Sequence, residues 1–118
     1  MSLDQLDEVS KKIATLIYQS VPIDEWVEAN LIWKMSPNKK NSASRTQYLL
    51  PDGTVDKSKG LDVTTNMKLY DLLVKHRDLS EEMGQPWWFQ ITVTVNRSGT
   101  FKMDFEYREN YRPEDLAL

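Results

Sequence analysis

The chain has 118 residues, a formal net charge of −3, no cysteine and 10 % aromatic residues, four of them tryptophan. That length suits one domain (1–118) with a modest core; the lack of cysteine excludes disulfides and thiolate metal sites, and no apolar run approaches the roughly 20 residues that span a bilayer. The acidic start, with Asp4, Asp7 and Glu8 close behind Met1, fits neither a secretory signal nor a transit peptide, so a cytoplasmic address is expected.

Charge is unevenly spread. Residues 1–33 hold six acids and two lysines, 34–60 hold six bases and two aspartates, and 61–118 hold ten acids and seven bases. The basic middle could touch phosphate, but it carries no aromatic-basic stacking platform and reads mostly as loop. No direct nucleic-acid binding is expected from it. The acidic ends point instead to a basic partner.

Leu3, Leu6, Val9, Ile13, Leu16 and Ile17 recur at helical spacing, which predicts a first helix over about 3–20 with Ser2 as N-cap. Val21-Pro22 ends it, since the residue before proline is pushed out of the helical region. A strand over about 26–35 follows, with Val27, Ala29, Leu31, Trp33 and Met35 alternating against Trp26, Glu28, Asn30, Ile32 and Lys34. Residues 36–44 are polar and proline-marked, a loop or long hairpin connection. A second strand is predicted at 45–50, then a Pro51-Asp52-Gly53 turn and an exposed loop over 56–60.

A second helix over about 65–83 has Met67, Tyr70, Leu73 and Val74 as its stripe, extended by Leu79 and Met83 and widened by Leu69 and Leu72. Thr64 or Thr65 can cap its start, and Gly84 stands where a left-handed C-cap belongs. Two strictly alternating strands close the chain. In the first, Trp87, Phe89, Ile91, Val93 and Val95 oppose Trp88, Gln90, Thr92, Thr94 and Asn96. In the second, Phe101, Met103, Phe105 and Tyr107 oppose Lys102, Asp104, Glu106 and Arg108. Arg97-Ser98-Gly99-Thr100 joins them. The tail from Glu109 adds at most a short turn. The order α-β-β-α-β-β gives an α+β fold, a four-stranded, largely antiparallel sheet with both helices on one face. Phe89, Ile91, Val93, Phe101, Met103 and Phe105 then belong to the core, and Thr92, Thr94, Lys102 and Asp104 to the wet face.

Catalytic chemistry is hard to find. His76 is the only histidine and sits on a charged helix, where a solvated or dipole-paired surface role fits better than a general base. A lone histidine without cysteine makes no zinc spacing. Asp104 and Glu106 share a strand face, as alternation alone would place them, although paired carboxylates also serve glycoside and metal chemistry. No phosphate-loop pattern occurs among the four glycines. In Trp87-Trp88 alternation turns one ring inward and the other outward, and an outward ring is a candidate interface anchor. Trp26 raises the same question.

The final hairpin, Trp87 to Val95 followed by Ser98-Gly99-Thr100-Phe101-Lys102-Met103-Asp104-Phe105-Glu106-Tyr107, resembles the C-terminal signature of the YezG-like bacterial immunity proteins. The exit of the first helix at Val21-Pro22 before Trp26 fits the same layout. Arg108 departs from the acids that often follow the tyrosine in that pattern, and 36–60 matches nothing in it. The resemblance implies a non-catalytic antitoxin without cofactor or metal, which binds and neutralises a secreted or contact-delivered toxin domain, often a nuclease. A nuclease carries cationic surface to hold phosphates, so acids are the candidate contacts: Asp104, Glu106 and Glu109, with Trp88 and Tyr111 as anchors and Asp4, Asp7 and Glu8 as a second patch. No membrane partner is expected. The alternative on the residues alone is an adaptor or regulatory module that binds a peptide or protein subunit.

Overall fold

The computed structural model describes residues 3–108 and 111–117. In chain order they form α1 (Leu3–Ser20), β1 (Glu28–Met35), β2 (Ser42–Leu49), β3 (Val55–Asp56), α2 (Val63–Glu82), β4 (Gln90–Asn96), β5 (Phe101–Glu106) and a closing 3₁₀ turn, Pro113–Leu116. The N-cap expected at Ser2 lies outside the described residues. Among the described residues, no helix is long and apolar enough to cross a membrane.

The strands make one antiparallel sheet in the order β3-β2-β1-β4-β5. The expected α+β arrangement is present with five strands in place of four. The added one, β3, is two residues long and returns from the Pro51-Asp52-Gly53 turn to pair with Tyr48 and Leu49. Gly53 takes φ +87 there, and Asp52 accepts hydrogen bonds from the backbone and hydroxyl of Thr54. The turn was legible, but two residues are too few for alternation to announce a strand. β2 likewise begins earlier than expected, because Ser42-Ala43-Ser44 pairs with Trp33-Lys34-Met35 despite its polarity.

β1 is the spine. Ala29, Leu31 and Trp33 stand opposite Val95, Val93 and Ile91 of β4, and opposite Tyr48, Thr46 and Ser44 of β2. This row turns toward the helices. Val9, Ile13 and Ile17 of α1 and Leu69 and Leu73 of α2, each spaced to share a helical face, close the core over it. Trp26 is buried at its edge, with Tyr18 packed edge-on at 5.3 Å and the Arg97 guanidinium 5.0 Å above the ring.

α2 starts just ahead of the threonines expected to cap it, Thr64 and Thr65. Asp62 is its N-cap and accepts from the Thr65 N–H at 2.7 Å, a bond that holds the Asp62 carboxyl below the usual carboxylate range. It ends as expected at Gly84, φ +86, where Gly84 N–H bonds Glu81 O and Gln85 N–H bonds Ser80 O. Its buried face keeps Leu73 and Leu79 of the expected stripe, with Leu69 beside them, but differs elsewhere. Met67 is 66 % exposed, while Thr65, His76, Arg77 and Ser80 are buried with Leu69 and Leu73. Polar residues make up four of its seven buried positions, and hydrophobic periodicity shows only the three leucines.

Arg77 explains part of this. Its buried guanidinium donates to the carbonyls of Met35 (3.3 Å), Ser36 (2.9 Å) and Pro37 (3.3 Å). Tyr70 OH bonds Lys39 O at 2.6 Å, and the Lys39 ammonium pairs with Asp78. The β1–β2 connection is therefore tied to α2.

Candidate functional site

Among the described residues, no α-helix lies on the second face of the sheet. Alternation brings Asn30, Ile32 and Lys34 of β1, Gln90, Thr92 and Thr94 of β4, and Lys102, Asp104 and Glu106 of β5 onto it. Asp104 stands opposite Thr92 and Glu106 opposite Gln90, and both carboxylates are exposed, as expected. Thr94 departs from expectation: Asn30 Nδ2 donates to its Oγ1 at 3.0 Å, and that pairing buries it.

The C-terminal tail covers one end of this face. Lys34 Nζ donates to Asp115 O at 3.2 Å and to Ala117 O at 2.5 Å. Phe89 is fully buried beneath the Tyr111 ring (5.8 Å), with the Arg108 guanidinium 5.5 Å from it. Tyr111 thus holds the tail down and is half-buried, rather than standing free as an anchor. Glu109 lies outside the described residues.

Phe89 and Trp88 have exchanged their expected sides. Phe89 sits in a bend ahead of β4, where its N–H bonds Glu106 O and its carbonyl accepts from Met35 N–H. The bend breaks the alternation between Trp88 and Ile91, so Phe89 falls on the tail side and Trp88 on the helix side. Trp88 is 1 % exposed and is core, not an outward anchor. Its indole N–H donates to His76 Nδ1 at 3.2 Å, and Phe105 stacks on the imidazole at 5.5 Å. Trp87 is the half-exposed ring of the pair, with the Arg77 guanidinium 4.7 Å over it.

His76 is therefore no surface histidine. It is 2 % exposed, and burial pushes its pKa down to about 4. At neutral pH it is an uncharged acceptor inside the core. Among the described residues, no three His, Asp or Glu side chains gather where they could hold a metal ion.

β5 is an edge strand, and this changes its inner row. Phe101 is 37 % exposed, Tyr107 is 49 % exposed, and Met103 and Phe105 are half-buried, where a covered core had been expected. They border a groove of about 540 Å³, whose far wall includes Leu6, Asp7 and Lys11 of α1. Of the second acidic patch, Asp4, Asp7 and Glu8 are all exposed, Glu8 pairs with Lys12 at 3.3 Å, and Asp7 faces the groove. Asp7 and the Asp104–Glu106 pair thus flank β5 from opposite faces. The strand order was the missing signal: β5 pairs with β4 alone, and no described strand lies on its other side.

This is a two-layer module with one face packed by helices and the other polar and open except at the end under the tail. Residues 52–116, which run from the β2–β3 turn through α2 and the β4–β5 hairpin into the tail, match the family described as immunity protein YezG-like. That span is more than half of the chain, and the chain belongs to the YezG-like immunity protein family. No curated protein matches it significantly.

Proposed function

We propose that the protein neutralises a cognate toxin domain by stoichiometric binding, without chemistry of its own, and that the open face of the β4–β5 hairpin is the docking surface. The observation that carries this reading is the exposed Asp104–Glu106 pair on a sheet face that the tail covers only at one end, inside the span that matches an immunity family. The toxin is a nuclease. A nuclease must present cations to phosphates, and carboxylates ranked along a strand can occupy those cations and steer association. The buried, uncharged His76 supports a binding role, since it is poorly placed to move protons at neutral pH.

The test is titration of the toxin domain encoded beside this protein's gene. Nuclease activity should fall in proportion to added protein and vanish at equivalence. A toxin that stays active in excess protein at low salt, or that proves to be no nuclease, would overturn the corresponding half of the proposal.

A further inference from the structure

Of the two sheet edges, β3 has two residues and β5 has six. In an antiparallel ladder, alternate residues turn their backbone N–H and C=O to the neighbour, and those between turn theirs outward. The bond from Asn96 N–H to Thr100 O (2.7 Å) sets the phase at one end of the hairpin, and that from Phe89 N–H to Glu106 O (2.7 Å) agrees at the other. Lys102, Asp104 and Glu106 therefore bond toward β4, and Phe101, Met103 and Phe105 present their backbone groups at the free edge. No described strand pairs with that edge.

A lysine on an edge strand ordinarily discourages pairing with another sheet. The order of charges here allows one exception. If a second β5 lies antiparallel with a two-fold axis through Met103, then Met103 faces Met103 of the second copy, Phe101 faces Phe105, and Lys102 faces Asp104. All three outward-facing residues find hydrogen-bonding partners in this register, and the axis repeats each contact. Both Lys102–Asp104 contacts join opposite charges. The exposed Phe101 of each copy meets the half-buried Phe105 of the other on the groove side, as aromatic cross-strand pairs do. Moving the axis to Lys102 sets Lys102 against Lys102, and moving it to Asp104 sets Asp104 against Asp104 at the centre while Lys102 faces Glu106. Of these three registers, the one about Met103 alone opposes no like charges, which destabilise a pair when directly opposite.

We propose that β5 is a homodimer interface, in which two copies join edge to edge about Met103 into one continuous sheet, with their helices on the same side. The occupant is a second copy because the strand is complementary in charge to itself in this register. The proposal does not depend on the toxin-binding reading, since it is tested with the chain alone.

The experiment is sedimentation equilibrium of the full chain at low salt. Wild type should show twice the chain mass at micromolar concentration. Lys102→Asp and Asp104→Lys should each raise the dimer dissociation constant by at least about tenfold, because the axis counts each reversal twice. The double variant, Lys102→Asp with Asp104→Lys, should restore the dimer, since it swaps the charges without changing the register. Both side chains are exposed, so the variants retain the fold, which circular dichroism verifies. A wild type that stays monomeric at about 100 μM, single variants that dimerise like wild type, or a double variant that remains monomeric would each overturn the proposal. The last outcome would also fit an axis at Asp104, where the swap opposes like charges throughout.

Discussion

The Trp88 indole donates its N–H to His76 Nδ1 at 3.2 Å, inside a core that leaves each residue almost unexposed. The bond requires an unprotonated Nδ1, so it places the imidazole proton on Nε2. An unprotonated buried histidine ties the stability of this protein to pH.

In the folded chain the His76 pKa lies at about 4, against an ordinary 6.5, because burial penalises the charged imidazole. Below 6.5 the unfolded chain takes up a proton that the folded chain refuses. The stabilisation is therefore whole above pH 6.5 and is lost as pH falls toward 4, by up to about 3 kcal/mol. Urea unfolding at pH 7.5 and 4.5 should reveal it. Asp52, Asp56 and Asp62 have lowered pKa values, and their contributions fade in a window below that of His76. His76→Phe should be less stable at pH 7.5 but should lose little more on acidification. A wild type equally stable at both pH values would contradict this.

Trp88→Ala should lower stability by about 3–5 kcal/mol, the cost of emptying a buried aromatic site. It also leaves His76 Nδ1 without its donor. Trp87→Ala removes a half-exposed ring and its contact with Arg77 and should cost about 1–2 kcal/mol. Chemical denaturation of the two variants side by side checks the order. Equal costs would mean that the two rings share one environment.

Arg77→Met should cost about 3 kcal/mol, because the carbonyls of Met35, Ser36 and Pro37 lose a charged donor. Arg77→Lys should not rescue it, since one ammonium cannot reproduce the planar fork. Hydrogen exchange should localise the damage. The Ser36 and Lys39 amides, bonded to Asn41 O and Ser36 O, should exchange faster in the variant, while the β4 amides change little.

Asp104→Ala combined with Glu106→Ala should weaken toxin binding by about 1–3 kcal/mol with the fold intact, the cost of losing charged contacts. The loss should shrink as salt rises, as expected for charges near a surface. Calorimetric titration at two salt concentrations measures both effects. Unchanged affinity at low salt would remove the open face as the docking surface and direct attention to the groove beside Asp7.

Much of this molecule was readable from periodicity. α1, the alternation of β1 and of β4 beyond Ile91, the β4–β5 turn and the Gly84 cap depend on local sterics and on the burial of apolar side chains at fixed spacing, which a linear sequence displays. The exposed Asp104 and Glu106 were readable for the same reason. β3 was not, because two paired residues carry no pattern.

The side of the sheet that Trp88 faces, the burial of His76 and Arg77 and the half-covered aromatic row of β5 were decided only by the tertiary structure. A bend at Phe89 moves the next ring to the other face, and it is held by bonds to Met35 and Glu106, residues distant along the chain. The burial of His76 and Arg77 depends on distant partners that take up hydrogen bonds from them or donate to them, the Trp88 indole for His76 and the carbonyls at the end of β1 for the terminal nitrogens of Arg77. Alternation assigns a side chain to a face. How deeply that face is covered depends on where the strand lies in the sheet, and Phe101 and Tyr107 remain open because β5 has β4 on one side and no described strand on the other.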